Sequence, residues 1–241
     1  MKINIRPAFI NTISFDLDDT LYDNRGYIQA AEQALLNFLA LQFPRAKAWH
    51  SRDWLNLKQR LVKAKPLLGH DTTAARLATL EQGLLIAGYD KSQATAGAQQ
   101  GLALFLDKRS DFTVPSEVLL QLKSLQSQYR LVGITNGNVD ANRIGLGEVF
   151  EFVLHPGEGM RMKPYPDLFY KACRQLHISH KQLLHVGDSY TADVQGARRA
   201  GCQAAWLNPA VGREAIAPQQ GQLAHIEFSN IDQLQQLSGL G

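Results

Sequence analysis

Cysteine is scarce in this chain of 241 residues, which carries only Cys173 and Cys202. Neither has a second thiol at metal-ligand spacing, so a disulfide-stapled scaffold and a cysteine-ligated zinc knot are both excluded, and a reducing, cytoplasmic compartment is expected. Long apolar runs are missing too. No stretch approaches the roughly 18 residues that a membrane-crossing helix needs, and the first ten residues hold Lys2, Arg6 and Pro7 rather than an apolar leader. Charge of one sign is also lacking: lysine and arginine number 25 against 22 acids, and the resulting +3 is scattered. That gives no footprint for nucleic acid and leaves a small anionic metabolite as the compatible partner. Internal repeats and low-complexity segments are absent. What remains is an ordinary soluble composition, 45% hydrophobic and 20% charged. It is long enough to bury a core, with a monomer or weak homo-oligomer expected.

The chain is organised around Phe15-Asp16-Leu17-Asp18-Asp19-Thr20-Leu21, where an apolar run opens into three acids within four positions. Ile10, Ile13 and Phe15 mark a short buried strand, which puts the acids at its C-terminal end, where open α/β sheets place ligands. Residues two apart on an extended chain point the same way, so Asp16 and Asp18 can face one target while Leu17 turns back into the protein. Carboxylates that close repel unless a cation or a shared proton offsets them. An isolated Asp-Asp pair is equally well an acidic turn that caps the next helix, and the rest of the chain decides between the two.

Apolar periodicity predicts helices near 28–39, 49–65, 74–87 and 92–106 with no convincing strand among them, a four-helix unit. Beyond Arg109 the pattern alternates. Helices are expected at 114–125, near Asn142, at 166–176 and at 191–200; strands are expected at 129–135, 150–154, 183–186, 204–207 and 226–228. Such alternation implies a parallel sheet. Asp16 and Thr135 lie 119 residues apart, far more than the ~30 of a βαβ unit. Residues 23–109 are therefore an insertion on a core built from 1–22 and 110–241.

Three further groups fall at expected strand ends or just before helices. Ile134-Thr135-Asn136-Gly137-Asn138 offers a hydroxyl and free backbone N–H groups for an anionic oxygen, although Asn-Gly is first of all a hairpin signal. Lys163, in an irregular stretch, can neutralise phosphate as a point charge, against the common solvated lysine. In His185-Val186-Gly187-Asp188-Ser189-Tyr190-Thr191-Ala192-Asp193, a helix N-cap accounts for one polar residue but not for a second acid. Asp188 and Asp193 beside Asp16 and Asp18 concentrate negative charge enough to call for a hard cation such as Mg²⁺.

Taken together, these motifs resemble the haloacid dehalogenase superfamily of phosphatases, all four in order, with the insertion resembling its helical cap. Phe-Asp-Leu-Asp-Asp-Thr-Leu-Tyr-Asp-Asn, Ile-Thr-Asn-Gly-Asn and His-Val-Gly-Asp are most similar to the bacterial flavin mononucleotide (FMN) phosphatase subgroup. The resemblance implies a Rossmann-like parallel sheet with an inserted four-helix cap. It implies Asp16 as nucleophile, Asp18 as acid and base, and Mg²⁺ on Asp16, the Asp18 carbonyl and Asp188. Thr135, Asn136 and Lys163 would hold the phosphoryl oxygens, Lys163 also serving catalysis, while Asp193 would orient the ligands or Lys163.

A dehalogenase on the same scaffold needs neither an acid two residues on nor Mg²⁺, so Asp18 and Asp188 favour phosphate chemistry. A non-catalytic binding protein on this fold is expected to have lost one of these charged groups, and none is missing. For the substrate, Tyr22, Arg25, His70 and Arg76 are the candidates. An aromatic face beside polar donors suits a planar heterocycle with a phosphorylated tail, FMN first and nucleotides or sugar phosphates next. The plainer reading leaves Tyr22 as packing and the others solvated.

Overall fold

The computed structural model describes residues 1–217 and 221–239. Seven strands form one sheet in the order β1-β7-β6-β5-β2-β3-β4. These are β1 (Lys2–Ile3), β2 (Thr12–Phe15), β3 (Arg130–Ile134), β4 (Val153–Leu154), β5 (Leu183–Gly187), β6 (Gln203–Leu207) and β7 (Ile226–Phe228). All neighbours are parallel except β1, which runs antiparallel to β7.

Parallel strands are covered on both faces, which is why β2, β5 and β6 are buried at every position. Alternation along each strand sorts the side chains into two cores. Ile13, Phe15, Leu131, Leu184 and Val186 pack with α5 (Ser116–Gln126) on one face. Val132, Ile134, Leu183 and Trp206 pack with α6 (Asp167–Leu176) and α7 (Gly196–Arg199) on the other.

From β2 the chain passes through four helices before it returns as β3: α1 (Arg25–Gln42), α2 (Ser51–Ala64), α3 (Thr72–Ile86) and α4 (Lys91–Arg109). This block has its own apolar cluster, built on Ala31, Leu35, Leu39, Trp54, Leu80, Leu84 and Phe105. Its α4 packs on both α1 and α3. None of the described helices is long and apolar enough to cross a membrane.

Departures from the expected elements are local. The helix expected near Asn142 is a set of turns. Asp140 accepts from the N–H groups of Asn142 and Arg143, an Asx turn, and Gly145 at φ +91° cannot continue a helix. The strand expected at 150–154 shortens to Val153–Leu154, and the helix expected at 191–200 opens as a π-helical turn over Tyr190–Gln195. Strand β1 has no apolar pattern, both of its residues being exposed, and periodicity had no means of finding it.

Candidate active site

β2 is an inner strand at which the chain switches from β3 on one side to β5 on the other, and its carboxyl end opens the crevice. The Asp16 N–H bonds Val186 O at 2.8 Å, extending the ladder one residue past the strand and fixing where the Asp16 side chain emerges. Leu17 is wholly buried. The chain then reverses at Asp19, whose φ of 60° is a left-handed conformation that aspartate tolerates. The Asp19 carboxylate accepts from the Asn24 N–H and from Arg213, both at 2.9 Å.

Lys163 is 2% exposed, and its ammonium donates to Asp16 Oδ1 at 2.8 Å, Asp193 Oδ1 at 2.7 Å and Ile134 O at 2.6 Å. Three donors meet three protein acceptors. Contact with a phosphoryl oxygen would require exchanging one of them, so the geometry makes Lys163 a holder of Asp16. Burial alone would lower the Lys163 pKa, but the charges of Asp16 and Asp193 outweigh it and the ammonium is held protonated.

Asp193 sits on the π-helical turn, and its Oδ2 accepts from the Ser189 N–H at 2.9 Å. A side chain at Gly187 would collide with the Asp193 carboxylate, so that glycine is a requirement of the approach. Burial opposes the charge on Asp193, yet Lys163 and His185 bring its pKa down to about 2.

The amide of Asn136 spans the Lys163 backbone, accepting from its N–H at 2.8 Å and donating to its carbonyl at 2.9 Å. That side chain braces the lysine loop. Thr135 Oγ1 accepts from the Gly137 N–H at 3.0 Å, which leaves its own hydrogen to donate.

Asp18 has two distinct oxygens. Its Oδ1 accepts from the Tyr22 hydroxyl at 2.6 Å and from Arg109. Its Oδ2 faces Gly137, where a Cβ would lie only 2.5 Å away. Asp188 accepts from the Thr20 hydroxyl at 3.1 Å, and burial followed by the charge of Asp193 pushes its pKa up to about 6. Burial, only partly offset by Lys163, also raises that of Asp16.

With every acid ionised, Asp16, Asp18, Asp188 and Asp193 face two cations, Lys163 and Arg109. The ring of His185 stays neutral, its pKa lowered to about 4, first by burial and then by Lys163. The shortfall of two positive charges equals one divalent ion. Asp16, Asp188 and Asp193 each bring an oxygen within 4.8 Å of the others, and an all-oxygen donor set fits a hard cation such as Mg²⁺. Because Asp193 is already bonded through both oxygens, Asp16 and Asp188 are the carboxylates left to hold it.

The family profile of haloacid dehalogenase-like hydrolases matches residues 10–201. The chain belongs to that family. It is 39% identical over 228 residues to the 5-amino-6-(5-phospho-D-ribitylamino)uracil phosphatase YigB of Escherichia coli (strain K12), covering 95% of this chain and 96% of the relative. Human N-acylneuraminate-9-phosphatase is 26% identical, with 83% of each chain covered. Among solved structures, a 2-haloacid dehalogenase from Pseudomonas syringae pv. Tomato DC3000 superposes with a TM-score of 0.89 at 34% identity, covering 96% of this chain and 99% of that one.

The four substrate candidates, Tyr22, Arg25, His70 and Arg76, each have their own partners in the structure. Tyr22 is 2% exposed and packs against Tyr27 and Phe112, with its hydroxyl spent on Asp18, so it offers a substrate no aromatic face. Arg25 is exposed and binds Asp23 and Gly212 O. His70 lies edge-on to Tyr165, where the helical block meets the core. Arg76 pairs with Glu32 at 2.7 Å and lies 3.5 Å over the Phe105 ring, within the helical block. A cavity of about 560 Å³ does open between block and core beside the site, lined by Thr72, Thr73, Gly137, Asn138 and His155 among others, and by none of those four.

Sequence reasoning gave no role to Ser14, His185 or Arg109. Ser14 and His185 are register partners on β2 and β5, joined at 2.9 Å, and His185 Nε2 meets Asp193 at 3.1 Å. Their signal was a polar residue on a short buried strand. Arg109 was legible as a cation in phase with the buried stripe Ala94, Ala98, Gly101 and Phe105 of α4.

Proposed function

We propose that this phosphoric monoester hydrolase is a Mg²⁺-dependent phosphatase acting on ribityl 5′-phosphates of planar heterocycles, FMN to riboflavin among them. In this reading residues 23–109 act as the cap and 1–22 with 110–241 as the catalytic core. The observation that carries phosphate chemistry is the placement of Asp18, two residues beyond Asp16, with one oxygen anchored and the other facing the Thr135–Gly137 loop. Displacement of halide would have no use for that acid.

Asp16, held through Oδ1 by Lys163, attacks phosphorus as its other oxygen forms the aspartyl-phosphate bond. The P–O bond to the alcohol breaks, and Asp18 Oδ2 gives its proton to the departing oxygen. Asp18 then takes a proton from water, which attacks the phosphorus and releases inorganic phosphate and free Asp16. Thr135 donates its hydroxyl to a phosphoryl oxygen. Asp16, Asp188 and the Asp18 carbonyl would hold a divalent ion, which would supply charge neutralisation between carboxylate and phosphate.

The substrate class rests on the relative named for 5-amino-6-(5-phospho-D-ribitylamino)uracil, which shares with FMN a flat ring on a phosphorylated ribityl tail. The cavity beside Gly137, about 560 Å³, is the place for the ring, within the usual size of small-molecule sites. The test is kcat/KM with Mg²⁺ for FMN, the uracil ester, nucleoside monophosphates and sugar phosphates. The ribityl esters should lead; sugar phosphates ahead of both would overturn the substrate assignment.

A further inference from the structure

Arg109 lies outside the four motifs and Tyr22 near the end of the first, yet both end on one atom, Asp18 Oδ1. Arg109 is 1% exposed and is the last residue of α4. An arginine is buried this deeply only with a fixed partner, and here the partner is the proposed acid itself. Tyr22 reaches the same atom from four residues along the chain, its ring clamped by Phe112 at 4.8 Å and Tyr27 at 6.2 Å between centroids.

A guanidinium only donates, and the tyrosine hydroxyl spends its single hydrogen on Oδ1. A proton on Oδ1 would point at those donors. The carboxyl can therefore hold its proton only on Oδ2, and Oδ2 is the oxygen turned toward Gly137 and the Thr135 loop.

We infer that Arg109 and Tyr22 are positioning residues that select which oxygen of Asp18 transfers the proton and aim it at the leaving group. Because Arg109 closes α4, the aim of the acid is set by how the helical block seats on the sheet. This rests on the phosphatase reading above. It adds that the acid depends on a cation supplied from the inserted helices rather than from the sheet.

The leaving group separates this role from simple scaffolding. A phosphate ester of an aliphatic alcohol needs the proton as its P–O bond breaks, whereas p-nitrophenyl phosphate releases a stable phenolate without one. Tyr22→Phe removes one oxygen and leaves the aromatic packing. Arg109→Met removes the cation at similar length, and Arg109→Lys restores a single donor.

With Mg²⁺ present, Tyr22→Phe should lower turnover of FMN by about tenfold and Arg109→Met by about a hundredfold, within the range for loss of an aligned acid. Arg109→Lys should recover part of that loss. The first-turnover burst of p-nitrophenolate should fall less than about threefold in Tyr22→Phe, because that step uses no acid. Equal losses on the two esters, or no loss on either, would overturn the inference. Should Arg109→Met fail to fold, Tyr22→Phe decides alone. A wild-type protein that releases phosphate from neither ester would defeat the phosphatase reading instead, a different outcome from any of these.

Discussion

Asp188→Asn is expected to make the protein more stable and inactive at once. Asp188 is half-buried beside Asp193, and moving its pKa from the ordinary 3.8 to about 6 means that the fold disfavours its charge. At neutral pH that amounts to roughly 3 kcal/mol, and about 1–3 kcal/mol once its partial exposure is allowed for. The sign follows from proton binding. Between pH 3.8 and about 6 the folded state holds a proton that the unfolded state has lost, so stability falls as pH rises through that window and the full penalty stands above it.

Asparagine keeps the shape and can still accept from Thr20, whose hydroxyl is 3.1 Å from Asp188 Oδ1. In EDTA at pH 7.5 the variant should melt roughly 2–10 °C above wild type, and near pH 4 the difference should vanish. Mg²⁺ should raise the wild-type Tm by ligand linkage and move the variant little. A variant that melts below wild type in EDTA at pH 7.5 would refute the argument that this site lacks positive charge.

Asp16→Asn should abolish turnover, and EDTA should silence the wild-type enzyme until Mg²⁺ is restored; near-normal phosphate release from the variant would remove the covalent mechanism. Gly187→Ala should drive the Asp193 carboxylate off Lys163 and lower kcat by about 10²-fold, the scale of an ångström-sized misplacement; unchanged kcat would show that the Lys163–Asp193 contact is dispensable. Arg76→Ala should cost about 1–2 kcal/mol from its pairing with Glu32 and its stacking on Phe105, read as a lower Tm. Its KM for FMN should stay within about twofold, since Arg76 faces the helical block's own core; a large rise in KM would return Arg76 to the substrate.

The sequence by itself determined the class of fold and which polar residues stand at the crevice. Strand and helix periods are local properties of the chain. Asp16, Asp188 and Thr135 each stand directly after a strand, so a parallel sheet brings them to one edge whatever the details. The 119-residue gap likewise forced an insertion.

What the tertiary structure alone decided is which atoms each polar group spends on its neighbours. Lys163 has the residue type of a phosphate ligand, but its three donors close on Asp16, Asp193 and Ile134 O from three separate elements. Tyr22 looks like an aromatic wall in one dimension and becomes an acid's anchor in three, because Phe112 and Arg109, some ninety residues away, fold back onto it and Asp18. Local propensity reports where a side chain starts. Hydrogen-bond valence is filled by partners distant in sequence, and only the packed fold brings those partners within reach.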